Sequence, residues 1–260
     1  MSNYLIDSHC HLHDPDFFKK EQAEEMVKGA NEAGIKQIIC IGTDHNDSLV
    51  AKDFAKKHKN VFWTYGVHPE NSTEDKKLAI DRSKLNFKKG SASRPVAIGE
   101  VGLDYHSEGF NREEQIKLFE QMLQLASDND LPLSFHVRNA FEDFFAVTNN
   151  FPKVRGVVHS FTDSKKTLKR ILNETDFYVG VNGLATYSTL PTPPPERILL
   201  ETDAPFLTPI PHRGIINEPK YIYNIAEWLS QKLDVDFETI EKETTKNATK
   251  LFNLPHPTFK

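Results

Sequence analysis

The chain has two cysteines, Cys10 and Cys40, in 260 residues, and no C-x-x-C spacing. A disulfide scaffold is excluded, and two free thiols suit a reducing compartment. There is no basic excess either: 32 Lys and Arg face 37 Asp and Glu, for a net charge of -5. That balance argues against a protein that coats nucleic acid with its whole surface, while leaving room for a local positive site such as a metal cluster. No run approaches the ~20 apolar residues that span a bilayer. Where a signal peptide would need an apolar core, the N-terminus carries Asp7, His9 and His11. A cytoplasmic protein without membrane contact is expected. Hydrophobic residues at 38% and charged residues at 27% are globular proportions, so disorder is excluded as well.

What is present is alternation. Short apolar, β-branched or aromatic runs occur at 4–12, 37–43, 61–68, 96–103, 132–137, 155–161, 177–184 and 197–203. They are apolar on both faces, as buried parallel strands are. The segments between them read as helices. In 111–129, Ile116, Phe119, Leu123 and Ala126 recur at helical spacing. Helices are also expected at 47–58 and at 163–174, the latter capped by Asp163 or Ser164. Eight strands and seven crossovers predict a (β/α)8 TIM barrel in a single domain over 1–260. The exception is the seventh crossover: 185–196 carries four prolines, so its helix is expected to be shortened or missing. Two closing helices are expected near 218–233 and 236–252.

Alternate residues on a strand face the same way, so His9 and His11 project together from the first strand. An H-x-H pair alone is weak evidence, and His11–His13 supplies a second one. The pattern gains weight from the other strands: Glu100 closes VAIGE, His136 and His159 lie late in PLSFH and RGVVH, and Asp203 ends RILLETD. These are the strand ends where barrel enzymes carry their chemistry. Carboxylates in apolar strands are costly unless paired or metal-bound. Four imidazoles and two carboxylates suit two divalent cations sharing a bridging carboxylate, as in two-metal hydrolysis of phosphate esters. Zn²⁺ and Mn²⁺ suit such mixed donors, and Mg²⁺ would bind more weakly. His68, before Pro69, is expected to face the site as a substrate contact. His13 and Asp14 read as a solvated loop, His45 and His58 as loop and helix-surface residues, and Cys10 as packing. Phe161, Tyr105 and Phe206 are candidates for stacking on nucleobases.

DSHCHL (7–12), YGVHPE (65–70), AIGEVGLDYH (97–106), SFHVRNA (134–140), VVHSF (157–161), LLETDAPFL (199–207), PHRGIINEP (211–219) and NATKLF (247–252) together resemble the TatD family of metal-dependent deoxyribonucleases. The resemblance covers nearly the whole chain in family order. It implies one cation on His9, His11 and Asp203, another on His136 and His159, and Glu100 as bridge. Asp203 and Glu100 would be the catalytic pair, with Asp203 orienting or deprotonating the attacking water. His68, Arg138 and Arg213 would bind the substrate phosphate. Asp104, counted with them, would organise the site from behind a ligand. The implied activity is 3′-5′ exonucleolytic hydrolysis of single-stranded DNA with Mg²⁺, Mn²⁺ or Zn²⁺, without an obligate protein partner. Three departures stand out: Asn139 replaces an acid but can still cap the next helix, Asp163 replaces a glycine, and the seventh crossover is short. Two other readings follow from the same residues. One is a hydrolase of a small ester, lactone or aminoacyl-tRNA ester, and the other a non-catalytic metal-bound scaffold.

Overall fold

The protein is described by a computed structural model covering residues 4–72, 87–91 and 93–255. Eight strands lie in one sheet in sequence order. They are β1 (Leu5–Cys10), β2 (Ile35–Cys40), β3 (Val61–Tyr65), β4 (Ala97–Asp104), β5 (Leu133–Arg138), β6 (Gly156–Val158), β7 (Tyr178–Val181) and β8 (Ile198–Leu200). Every pairing between named strands with a described register is parallel. Seven helices are described: α1 (Lys20–Glu32), α2 (His45–Ala55), α3 (Arg112–Asn129), α4 (Phe141–Thr148), α5 (Lys165–Glu174), α6 (Ile222–Leu233) and α7 (Phe237–Phe252). This is the expected (β/α)8 barrel class. Residues 73–86 and 92 of the third crossover lie outside the described residues.

The chain divides into two compact units, residues 1–40 with 160–260, and residues 41–159. In the first, β1 pairs with β2 and β7 with β8, and α7 packs on β1 and β8. In the second, β3 to β6 form a continuous ladder, and α3 lies over β4. Phe119 of α3, Phe135 of β5 and Phe144 of α4 are fully buried and meet ring to ring at 5.1–6.0 Å, a rigid apolar support behind the strand ends.

Six of the eight strands, all but β4 and β5, are shorter than the apolar runs that announce them. His11, His68, His159 and Asp203 therefore lie just beyond the C-terminal ends of β1, β3, β6 and β8. Glu100 differs from the expectation: β4 continues to Asp104, so Glu100 sits inside the strand, where the register with β5 shifts between Ile98 and Val101. A bulge re-aims a side chain without ending the strand.

The seventh crossover has no α-helix and is built from two short 3-10 turns, Gly183–Thr186 and Pro195–Arg197. Side chains brace it instead: Asn247 donates to the carbonyls of Pro195 and Ile198 at 2.9 Å, and the Arg197 guanidinium reaches the Phe177, Thr175 and Leu172 carbonyls. Ser164 caps α5 as expected. Asn139 does not cap α4: it takes a left-handed backbone with φ 56°, and its side chain lies 3.4 Å from His106 Nδ1. Helix α2 begins at His45, because Asp44 accepts from the Asp47 amide. That start buries His45 against Tyr65, where a loop or surface position was expected. Among the described residues, no helix is long and apolar enough to cross a membrane.

Gly180 on β7 leaves space for the buried Glu201 carboxylate, with which any Cβ would collide. Gly180→Ala is expected to lower stability by about 1–3 kcal/mol through overpacking. Gly29→Ala, with nothing within 4 Å of the added carbon on α1, is expected to be stabilising by up to ~1 kcal/mol. Urea unfolding of the two variants beside the parent checks both signs.

Candidate metal centre

In the 41–159 unit the chemistry converges on one carboxylate oxygen. Glu100, 4% exposed, places Oε1 2.8 Å from His136 Nδ1, 2.9 Å from His159 Nε2 and 3.6 Å from His68 Nε2. The Glu100 amide donates to the Gly42 carbonyl at 2.7 Å, which fixes the backbone beneath it. The other nitrogen of His136, Nε2, lies 2.8 Å from Asp104 Oδ2 at the end of β4. Asp104 is itself held: its amide donates to the Gln115 side-chain carbonyl at 2.8 Å, its carbonyl accepts from the Gln115 side-chain amide, and its Oδ1 accepts from the His106 N–H.

Protonation follows from these contacts. Burial drives the His136 ring toward neutrality, but hydrogen bonds to Asp104 and Glu100 outweigh it and raise its pKa. Burial likewise pushes the Asp104 carboxyl up, and the His136 ring and His106 amide bring it down to about 2. His68 is pushed to about 4, chiefly by burial. It is a neutral imidazole at pH 7, able to donate a lone pair.

The unit formed by 1–40 and 160–260 holds a second cluster. His9 Nε2 and His11 Nε2 each lie 3.5 Å from Asp203 Oδ1. Backbone lacing sets this geometry: the Asp203 amide donates to the His9 carbonyl and the His11 amide to the Ala204 carbonyl, both at 2.8 Å. Beneath it sits Asp7, fully buried, whose carboxylate accepts from the Thr202 amide at 2.9 Å and the Thr202 hydroxyl at 2.6 Å. Burial raises the Asp7 pKa to about 8 despite these bonds. Asn217, also fully buried, donates to the Thr202 and Phe206 carbonyls and so ties the following loop to the same point.

Of the residues expected from sequence, His9, His11 and Asp203 come together in one cluster, and His68, Glu100, Asp104, His136 and His159 in the other. Arg138 ends β5 beside Asp104 in register, and its charge helps hold that carboxyl low. Arg213 stacks its guanidinium 3.8 Å above the Tyr187 ring.

Other expectations need correction. His13 is buried, not solvated; burial pushes the neighbouring Cys40 thiol up, but hydrogen bonds with Cys10 and His13 outweigh it and bring it to about 6. Phe161 is buried and cannot offer a ring face. Tyr105 is half-buried, stacked on Phe110 at 4.8 Å and bonded through its hydroxyl to Asp143. Phe206 is 46% exposed. Sequence reasoning overlooked Asp7, Thr202 and Asn217 as parts of the site's support, and Glu201, whose Oε1 accepts from the Ser160 amide at 2.6 Å. A carboxylate within an apolar run was the available signal for Asp7 and Glu201, as it was for Glu100.

Imidazole nitrogens and carboxylate oxygens are the donors that Zn²⁺ and Mn²⁺ take. His68, Glu100 and His136 each offer one such atom within 4.8 Å of the others. The donor chemistry of the 41–159 unit therefore fits a divalent cation.

Residues 6–253 match the family described as TatD related DNase. The chain belongs to that family. An uncharacterized metal-dependent hydrolase of Buchnera aphidicola is 33% identical over 96% of this chain and 100% of its own. A 3′-5′ ssDNA/RNA exonuclease TatD of Pantoea ananatis is 33% identical over 89% of this chain and 93% of its own. Among solved structures, the TatD homologue YJJV of Escherichia coli superposes with a TM-score of 0.86 at 26% identity, over 98% of this chain and 100% of that one. The chain is a TatD-type metal-dependent hydrolase.

Loss of the Thr202 hydroxyl would leave part of the buried Asp7 carboxylate without its donor. Thr202→Val is expected to cost about 1–3 kcal/mol. The lost bond favours the ionised carboxylate, so the deficit grows as pH rises through about 8, where Asp7 ionises in the folded chain. Urea titrations of chelator-treated protein at pH 6 and pH 9 measure it.

Proposed function

We propose that the chain is a divalent-metal-dependent deoxyribonuclease, a 3′-5′ exonuclease acting on single-stranded DNA in the cytoplasm as one TatD-like domain over 1–260. The observation that carries this is Glu100 Oε1 within 2.9 Å of nitrogens from both His136 and His159. A buried carboxylate so surrounded suits a cation bridge. Kinship with a TatD exonuclease at 33% identity supports the substrate class, and two free buried cysteines fit a reducing compartment.

His9, His11 and Asp203 would hold one ion, and His136 and His159, with the Glu100 carboxylate, another. Bound Mg²⁺, Mn²⁺ or Zn²⁺ supplies positive charge to phosphoryl oxygens and lowers the pKa of water. Asp203 Oδ would take the proton of the attacking water as the water oxygen bonds to phosphorus; the bond from phosphorus to the leaving ester oxygen breaks, and that oxygen takes up a proton from solvent. His68, neutral at pH 7, contacts a phosphate oxygen as a hydrogen-bond donor. Arg138 and Arg213 offer planar donors suited to phosphate oxygens. Asp104 fixes the His136 ring through Nε2 and leaves Nδ1 on the Glu100 side.

Protein stripped with chelator is expected to leave 5′-labelled single-stranded DNA intact. Reloaded with Mn²⁺, it should produce a one-nucleotide ladder shortening from the 3′ end. Asp203→Asn is expected to lower kcat by about 10²-fold or more. Asp104→Asn is expected to weaken metal binding by roughly 10- to 100-fold, read by calorimetric Mn²⁺ titration. Intact DNA with bound metal verified, alongside cleavage of an aryl ester or a charged tRNA, would sink the nuclease reading and favour a small-ester or aminoacyl substrate.

A further inference from the structure

Phe17 and Phe206 are large apolar side chains left 43% and 46% exposed. They are not scattered surface residues, because their rings meet edge to face with centroids 5.1 Å apart. Phe206 also stands edge-on to the His11 ring at 6.4 Å. The pair thus borders the cluster of His9, His11 and Asp203.

Both rings are held from behind. The Phe206 amide donates to the Asp203 carbonyl at 2.8 Å, and its carbonyl accepts from fully buried Asn217 at 2.5 Å. Thr208 closes the same loop by donating to the Ile215 carbonyl. On the other side, Asp14 accepts from the Phe17 and Phe18 amides, and Phe18 is buried at 3% exposure, anchoring the turn that presents Phe17. A mobile loop would let two phenyl rings collapse inward; these are braced outward, in contact with each other.

We infer that Phe17 and Phe206 form a stacking platform for a nucleobase, the one attached to the nucleotide whose phosphate is attacked. The inference rests on the phosphodiesterase reading and names what recognises the substrate there. Every base has a π-face, so an aromatic platform binds single-stranded nucleic acid without reading its sequence. The edge-to-face arrangement leaves a face of one ring open while the other walls its side. A base seated there would lie beside the His11 ring, whose centroid is 6.4 Å from that of Phe206. A small ester or lactone has nothing to place on this platform. An unpaired base does, and a base in a duplex is already covered by its neighbours.

Two diesters with the same leaving group separate the platform from the chemistry: thymidine 5′-(4-nitrophenyl) phosphate and methyl 4-nitrophenyl phosphate. With Mn²⁺-loaded enzyme, kcat/KM is expected to favour the thymidine ester by about tenfold or more. Phe206→Leu and Phe17→Leu should each pull that ratio toward one, and Tyr223→Leu, an exposed aromatic on α6, should leave it unchanged. A parent ratio near one, or a ratio unmoved by both Phe substitutions, overturns the platform while phosphodiesterase activity stands. Hydrolysis of neither ester overturns the phosphodiesterase reading instead. Stacking is then decided by an oligonucleotide ending in 2-aminopurine at its 3′ end: fluorescence quenched by the parent but not by the Phe17→Leu/Phe206→Leu double variant supports the platform, and equal fluorescence with both overturns it.

Discussion

The structure of the 41–159 unit depends on a charge that should not be where it is. Glu100 lies inside β4 at 4% exposure, and an isolated carboxylate there would be expensive to bury. Its surroundings show how the cost is met. Imidazoles from the ends of β3, β5 and β6 turn toward one of its oxygens, and the Gly42 carbonyl holds its amide. Each imidazole is delivered by a strand ending where the loop begins, and each strand is supported by apolar packing such as the Phe119–Phe135–Phe144 cluster. Removing the carboxylate would take from the His159 and His136 rings the anion they share, leaving His136 with Asp104 alone. Removing the rings would strand the carboxylate.

The unit of 1–40 and 160–260 solves the same problem by other means. Asp203 is half-open at 14% side-chain exposure, so the burden falls on Asp7 beneath it. Thr202 satisfies Asp7 through both amide and hydroxyl, and Asn217 satisfies Thr202 in turn. This chain of neutral donors behind a charged cluster fixes Asp203 in a left-handed backbone conformation with φ 57°. A non-glycine residue held there is held by its surroundings, and such positions concentrate where side-chain placement matters.

Much of this was legible in the sequence, for a reason that also marks the limit of what was. Buried parallel strands read as unbroken apolar runs, so all eight were visible, and a lone carboxylate or imidazole stood out against that background. Glu100, His136, His159 and Asp203 were conspicuous in this way. The bounds of the runs were less informative, because apolar residues continue past the last ladder bond and Glu100 falls at a register shift that composition does not encode. His45 and His13 were misplaced because polar residue type was taken as exposure, although His45 sits at a capped helix start and His13 beside a thiol. Phe161 erred the other way: an aromatic after a strand end can face inward, and this one does.

The seventh crossover illustrates how far a local rule reaches. Four prolines forbid a helix whatever surrounds them, and the helix is absent. What replaces it was not readable, because the bracing groups are distant: Asn247 of α7 and the Arg197 guanidinium supply the donors that a helix would have found within itself. The carbonyls of an irregular segment must be satisfied from elsewhere. Asn247 belongs to the NATKLF segment, and at this point it serves backbone satisfaction and has no part in the chemistry. The same reasoning separates the asparagines of this protein by role. Asn217 and Asn247 are buried donors that hold loops in place, whereas Asn139, expected to be a helix cap, occupies a left-handed turn instead. Residue type announced that each would meet a backbone need, and only the fold decided which one.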